Sequence, residues 1–294
     1  MSYIFFGSPK FAEIILNKLI ISGFIPAAVV CNPDKPVGRK KVLTSPPVKA
    51  SIMQQVESIK GKIGIFQPEN LSEAKYLLLN TKYDFFVVAA YSKIIPKEII
   101  DIPKLGVIGV HPSLLPKYRG ATPIQSVILN GEKETGTTLF LIDEKVDHGP
   151  ILAARDLPIV SSDNYETLSK KLAEMSGDLL VEVLPKFING EIKPQEQNHD
   201  EATFTKKFTT EDGFVKPEDL EEAQAKGGSN AVEIERKIRA LNPDPGVWTL
   251  GLKAPLRIPD NKRIKLLEGR LSPTGLLILT KVQVEGKTPF VIKA

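Results

Sequence analysis

The chain's best material for chemistry is a histidine that ends an apolar run and an aspartate further along. His111 follows Val107 to Val110 and opens the segment HPSLLPKYRG. Asp147 stands in a glycine-terminated loop of mixed charge, EKVDHG. A carboxylate beside a histidine orients the ring and favours the imidazolium, which makes a tuned general acid or base. Spacing alone leaves the bland reading ahead: a hydrogen-bonded structural histidine and a turn aspartate. The common competing signals are missing. The first strand is followed by GSPKFA rather than G-x-G-x-x-G, and neither G-x-x-x-x-G-K-[ST] nor G-x-S-x-G occurs. The lone Cys31 excludes an intrachain disulfide and a cysteine-based zinc site. His111, His148 and His199 leave little for a histidine cluster. Metal-free chemistry in a reducing compartment is expected.

The elements that must position these residues read as alternating strands and helices. Strands are expected at Tyr3 to Phe6, Phe24 to Cys31, Ile63 to Phe66, Asp84 to Ala90 and Val107 to Val110. Later ones fall at Thr137 to Asp143 and Ile151 to Ile159. Ser8-Pro9 reads as a cap and first turn of a helix that Gly23 stops. Helices also fit Pro47 to Gly61, Asn70 to Leu79 and Tyr165 to Ile188. This alternation implies an α/β fold with a doubly wound, mostly parallel sheet, whose ligands lie beyond the carboxyl ends of the strands. His111 is placed there. Residues 190–205 are polar and aperiodic and read as a linker between a catalytic domain, 1–189, and a C-terminal domain, 206–294. A charged helical stretch, Pro217 to Ala240, is interrupted at Gly227-Gly228. Short β-like runs after Trp248 suggest a small barrel.

The 294 residues suit two domains. Hydrophobic residues at 42% and charged residues at 25% are ordinary for a soluble chain. No apolar run has the length of a membrane span, and Gly7-Ser8-Pro9 breaks the start too early for a signal peptide, so a cytoplasmic location is expected. The net charge of +4 identifies no partner by itself.

HPSLLPKYRG followed by VDHG resembles the signature of the 10-formyltetrahydrofolate-dependent formyltransferases. The resemblance implies the Rossmann-like fold of that family with a C-terminal OB-like barrel. It implies attack of an amine on the formyl carbon carried by N10 of the folate. His111 would stabilise the oxyanion or protonate N10, and Asp147 would keep it charged and shuttle the amine's proton. Ser113, Leu114, Leu115 and Pro116 would shape the folate site, and Ile94, Ile95 and Asp143 would hold the pterin. The apolar ones among these can equally serve core packing. The family carries asparagine two residues before the histidine, as an oxyanion donor; that position is Gly109 here. Another group supplies the donor, the enzyme is weakened, or the protein binds folate without efficient turnover. The intact remainder of the signature favours the first.

The loop NPDKPVGRKKVLTSPPVKA carries Lys35, Arg39, Lys40, Lys41 and Lys49 against one acid, Asp34. It resembles the basic loop of the methionyl-tRNA formyltransferases. FQPEN and IRALNPDPGVWT resemble further segments of the same branch. That branch implies initiator methionyl-tRNA as acceptor, with Lys35, Arg39, Lys40 and Lys41 on its phosphates. A monomer is expected. The alternatives are a sugar-nucleotide N-formyltransferase and a folate- or tRNA-binding module without turnover.

Overall fold

The computed structural model describes residues 1–38, 40–55, 59, 61–71, 82–252 and 258–292. Arg39, most of the expected helix from Asn70 and the end of that from Pro47 lie outside the described residues. The described residues divide into two compact units: 1–120, 134–158 and 169–204, then 121–133, 159–168 and 205–294.

The first unit is built on a seven-stranded sheet. Its strands are β1 (Tyr3–Phe6), β2 (Ala28–Val30), β5 (Gly64–Phe66), β6 (Phe85–Ala89), β7 (Val107–His111), β9 (Glu134–Leu141) and β10 (Ile151–Pro158). Their order is β10-β9-β7-β6-β1-β2-β5, parallel from β7 to β5, with β9 and β10 antiparallel at one edge. The central strands are apolar throughout because both faces are covered: all of β1 is buried, as are Phe85, Phe86 and Val87 of β6. Tyr3 stacks on Phe85 at 5.0 Å, which fixes the β1–β6 register through its paired residues.

Local details depart from the sequence reading for identifiable reasons. Ser8 does not cap the helix Lys10–Ile21; Pro9 takes the cap position, and Ser8 Oγ accepts from Asn32 N at 2.9 Å. The loop after β2 contains a hairpin, β3 (Lys35–Val37) with β4 (Val42–Thr44), exposed along its whole length. Without a buried face it has no alternating pattern to read. The segment 190–205, read as a linker from its polarity, is held in place. Ile151 and Gln195 exchange backbone hydrogen bonds, and Thr203 binds the backbone of Tyr118 and Arg119 in β8 (Arg119–Gly120). β11 (Phe204–Thr205) follows.

In the second unit the helix Gly228–Leu241 buries Ala231, Ile234, Ile238 and Leu241. It packs against the helices Pro123–Asn130 and Pro217–Ala225 and against an antiparallel meander. The meander runs β12 (Trp248–Leu252), β13 (Ile258–Leu271), β14 (Leu277–Val284) and β15 (Phe290–Val291) in that order. No closure of β12 with β15 into the expected barrel is present among the described residues. No helix among the described residues is long and apolar enough to cross a membrane.

Candidate active site around His111 and Asp147

His111 is the last residue of β7 and is only 5% exposed. Its Nε2 lies 2.8 Å from the carbonyl oxygen of Tyr118. A carbonyl can only accept, so Nε2 carries a hydrogen and donates it. Nδ1 is therefore the nitrogen free to gain or lose a proton. It faces Asp147 Oδ2 at 3.5 Å, close enough for charge pairing and long for a strong hydrogen bond. A protonated Nδ1 meets the carboxylate favourably; an unprotonated one presents it with a lone pair.

Bringing Asp147 there requires a detour. Leu141, the end of β9, pairs with Ile108, three residues before His111. The loop from Ile142 to Pro150 must run back by about 10 Å of strand. Two features allow it. A Cβ on Gly149 would collide with the Leu141 carbonyl, so only glycine fits where the loop closes on β9. Asp147 itself sits at φ 47, in the left-handed region, and its Oδ2 accepts from Gly120 N at 2.7 Å. The D-x-G pattern thus has a steric basis.

The other expected residues take varied places. Ser113 is fully buried; its Oγ donates to Lys117 O at 2.7 Å and its carbonyl accepts from Thr138 Oγ1 at 2.7 Å. Its side chain braces the loop. Leu115 is buried and donates its N–H to Thr138 Oγ1, while Leu114 and Pro116 are half-buried. Ile95 packs on the core, but Ile94 is 93% exposed. Asp143 accepts from Lys145 N and holds His148 Nδ1 at 2.6 Å. His148, whose position after Asp147 suggests a ring turned to solvent, instead stacks on His199 with centroids 4.0 Å apart.

Gly109 lies opposite Phe140 in the β7–β9 register. A Cβ there would come 2.6 Å from Phe140 Cζ and 3.0 Å from Ile142 Cγ1. The atoms nearest to that position are all carbon, from the Phe140 ring and Ile142.

Lys35, Lys40 and Lys41 are exposed on the β3–β4 hairpin and its turn. Lys49, counted with them from the sequence, is engaged at the hairpin's base. Asp34 accepts from Gln67 Nε2 at 2.8 Å and from Lys49 Nζ at 2.9 Å, and these partners hold its carboxyl below the usual range. The loop's single acid is thereby neutralised within the protein, and the hairpin stays basic.

A folate donor needs apolar walls and polar groups at its edge. The loop after β6 offers exposed Ile94 and the Tyr91 hydroxyl, which is buried and has no hydrogen-bond partner among the described residues. Burial pushes that hydroxyl up to about 12, so it remains an O–H donor. Val146, beside Asp147, is 61% exposed. These groups fit the donor.

A histidine at the end of a parallel strand, facing a carboxylate on a folded-back loop, is an arrangement able to carry acid–base chemistry. The formyl transferase family pattern matches residues 1–184. A methionyl-tRNA formyltransferase from Kosmotoga olearia is 42% identical over 251 residues, covering 85% of this chain and 76% of its own length. One from a Roseiflexus species is 37% identical, over 97% of this chain and 89% of its own. The N-formyltransferase of Helicobacter canadensis, solved with folinic acid and dTDP-3-aminofucose, superposes with a TM-score of 0.61 at 21% identity. It covers 92% of this chain and 87% of its own. The chain belongs to the formyl transferase family.

Proposed function

We propose that this protein transfers the formyl group of 10-formyltetrahydrofolate to the free amino group of methionyl-tRNA, giving the initiator for translation. The observation that carries the reading is the His111–Asp147 pair, with Nε2 fixed as a donor and Nδ1 facing the carboxylate. The relatives named above, at 37% and 42% identity over most of the chain, support the choice of acceptor. The folate provides an activated formyl group and a nitrogen leaving group. His111 Nδ1–H neutralises negative charge developing on the formyl oxygen or supplies the proton that the leaving nitrogen needs. Asp147 keeps that proton in place and receives one from the attacking amine. With carbon over Gly109, His111 carries a share of the charge stabilisation that an amide would otherwise take. Leu114, Leu115, Pro116, Ile94, Ile95, Tyr91 and Asp143 form the folate site, with Ser113 bracing it.

Lys35, Lys40 and Lys41 contact the acceptor end's phosphates from the exposed hairpin, and Arg39 adds its charge to theirs. In the C-terminal unit, exposed Lys262 and Lys265 flank buried Ile264 on β13, and Arg263 stacks on Trp248 at 3.9 Å. This sheet, completed as an OB-like barrel, gives a basic platform for tRNA backbone. Residues 1–189 act as the catalytic domain and 206–294 as the tRNA domain of a cytoplasmic monomer.

The hairpin supplies the test. Replacing Arg39, Lys40 and Lys41 together with alanine is expected to raise KM for methionyl-tRNA about tenfold and flatten its log–log salt dependence by about 2. KM for the folate should stay constant. Steady-state kinetics at several salt concentrations measures both; unchanged tRNA kinetics would remove the hairpin from the acceptor site.

A further inference from the structure

Gln197 lies in the polar segment before β11, yet it is only 6% exposed. Its Nε2 donates to two backbone carbonyls, Asp147 O at 3.0 Å and Gly149 O at 2.7 Å. Its Oε1 accepts from Arg119 Nε at 3.2 Å and Nη2 at 2.6 Å. Arg119 is buried, and its Nη2 also lies 2.9 Å from His199 Nδ1, which accepts. The residues on either side of Arg119 reach His111 and Asp147 directly. Tyr118 O takes the hydrogen of His111 Nε2, and Gly120 N binds Asp147 Oδ2.

These bonds close a ring through Asp147, Gly120, Arg119 and Gln197. Asp147 is gripped twice, at its carboxylate by Gly120 and at its carbonyl by Gln197. The second grip matters because Asp147 is at φ 47, which a non-glycine residue keeps only when its surroundings hold it. A primary amide suits the place. It offers two N–H donors to two carbonyls and one acceptor to a guanidinium, and neither a carboxylate nor an apolar side chain can do both.

We propose that Gln197 is a positioning residue for the reaction: its amide holds the backbone around Asp147 so that the carboxylate stays opposite His111 Nδ1. This rests on the reading of Asp147 as a participant in formyl transfer.

Gln197→Glu keeps the size and the Arg119 partner but turns a carboxylate oxygen toward two carbonyls. Gln197→Met removes the donors without adding charge. Each is compared with wild type by thermal melt and kinetics, alone and with Asp147→Asn. Both are expected to lower kcat on the order of 10- to 100-fold, with KM for folate and methionyl-tRNA within about twofold. With Asp147→Asn present, either should cost less than about threefold more, because its effect runs through a carboxylate already removed. Suppose Asp147→Asn lowers kcat, but both Gln197 variants turn over normally or lose the same factor with and without Asp147. The positioning role is then overturned while that of Asp147 stands. An Asp147→Asn enzyme with wild-type kcat overturns both.

Discussion

Replacing His111 with alanine is expected to lower kcat by about two to four orders of magnitude, the usual worth of a positioned general acid or base. KM for both substrates should change little. The residue is buried at a strand end, so alanine also removes a hydrogen bond to Tyr118 O and leaves a cavity. His111→Gln, whose amide nitrogen stands about where Nε2 does, separates the two effects. Its amide can donate to the same carbonyl but cannot carry a proton to or from substrate. It should melt closer to wild type than the alanine variant and be as slow. A glutamine enzyme with near-normal turnover would return His111 to the structural role that spacing alone suggests. Single-turnover rates and melting curves for both variants measure this.

Gly109→Asn, which a sequence comparison would recommend as a repair, is expected to harm the protein. The new side chain meets the Phe140 ring and Ile142, both on the β9 side of the strand pair. Overpacking of this kind costs about 1–3 kcal/mol. In a domain of this size that lowers Tm by roughly 2–10 °C. The single variant should therefore melt lower and gain no rate. Gly109→Asn with Phe140→Ala gives the amide room. This pair gives up core packing, yet it is expected to raise kcat over the single change by up to about 100-fold, the scale of one oxyanion donor. A faster and fully stable single variant would show that Phe140 yields freely and that the packing account of Gly109 is wrong.

Much of the first unit was legible from pattern. The unbroken apolar runs at Tyr3 and Phe85 could only be strands covered on both faces, and that placed His111 at a strand end. The segment HPSLLPKYRG and the later D-x-G marked the pair that the fold brings to 3.5 Å. What stayed hidden has physical causes. Gln197 bonds to backbone carbonyls, which leave no trace in side-chain type, and its polar surroundings read as solvated chain. Phe140 fills the place over Gly109 only because of a cross-strand register that one strand's sequence does not reveal. The β3–β4 hairpin buries nothing, so no alternation announces it. His148 finds its stacking partner in His199, far along the chain, and Ser8 gives up its cap for the backbone of Asn32. Strand β13 runs on from Leu267 to Leu271 through Glu268 and Arg270, whose charges break the apolar pattern on its exposed face.

The acceptor defines this enzyme as much as the chemistry does. The most direct test gives the purified protein 10-formyltetrahydrofolate labelled in the formyl group, and offers methionyl-tRNA and a dTDP-linked amino sugar in parallel. The predicted result is label in the methionyl amide, dependent on His111 and Asp147, with little transfer to the sugar. Transfer to the sugar alone, or folate binding with no transfer to either acceptor in a single turnover, would contradict it.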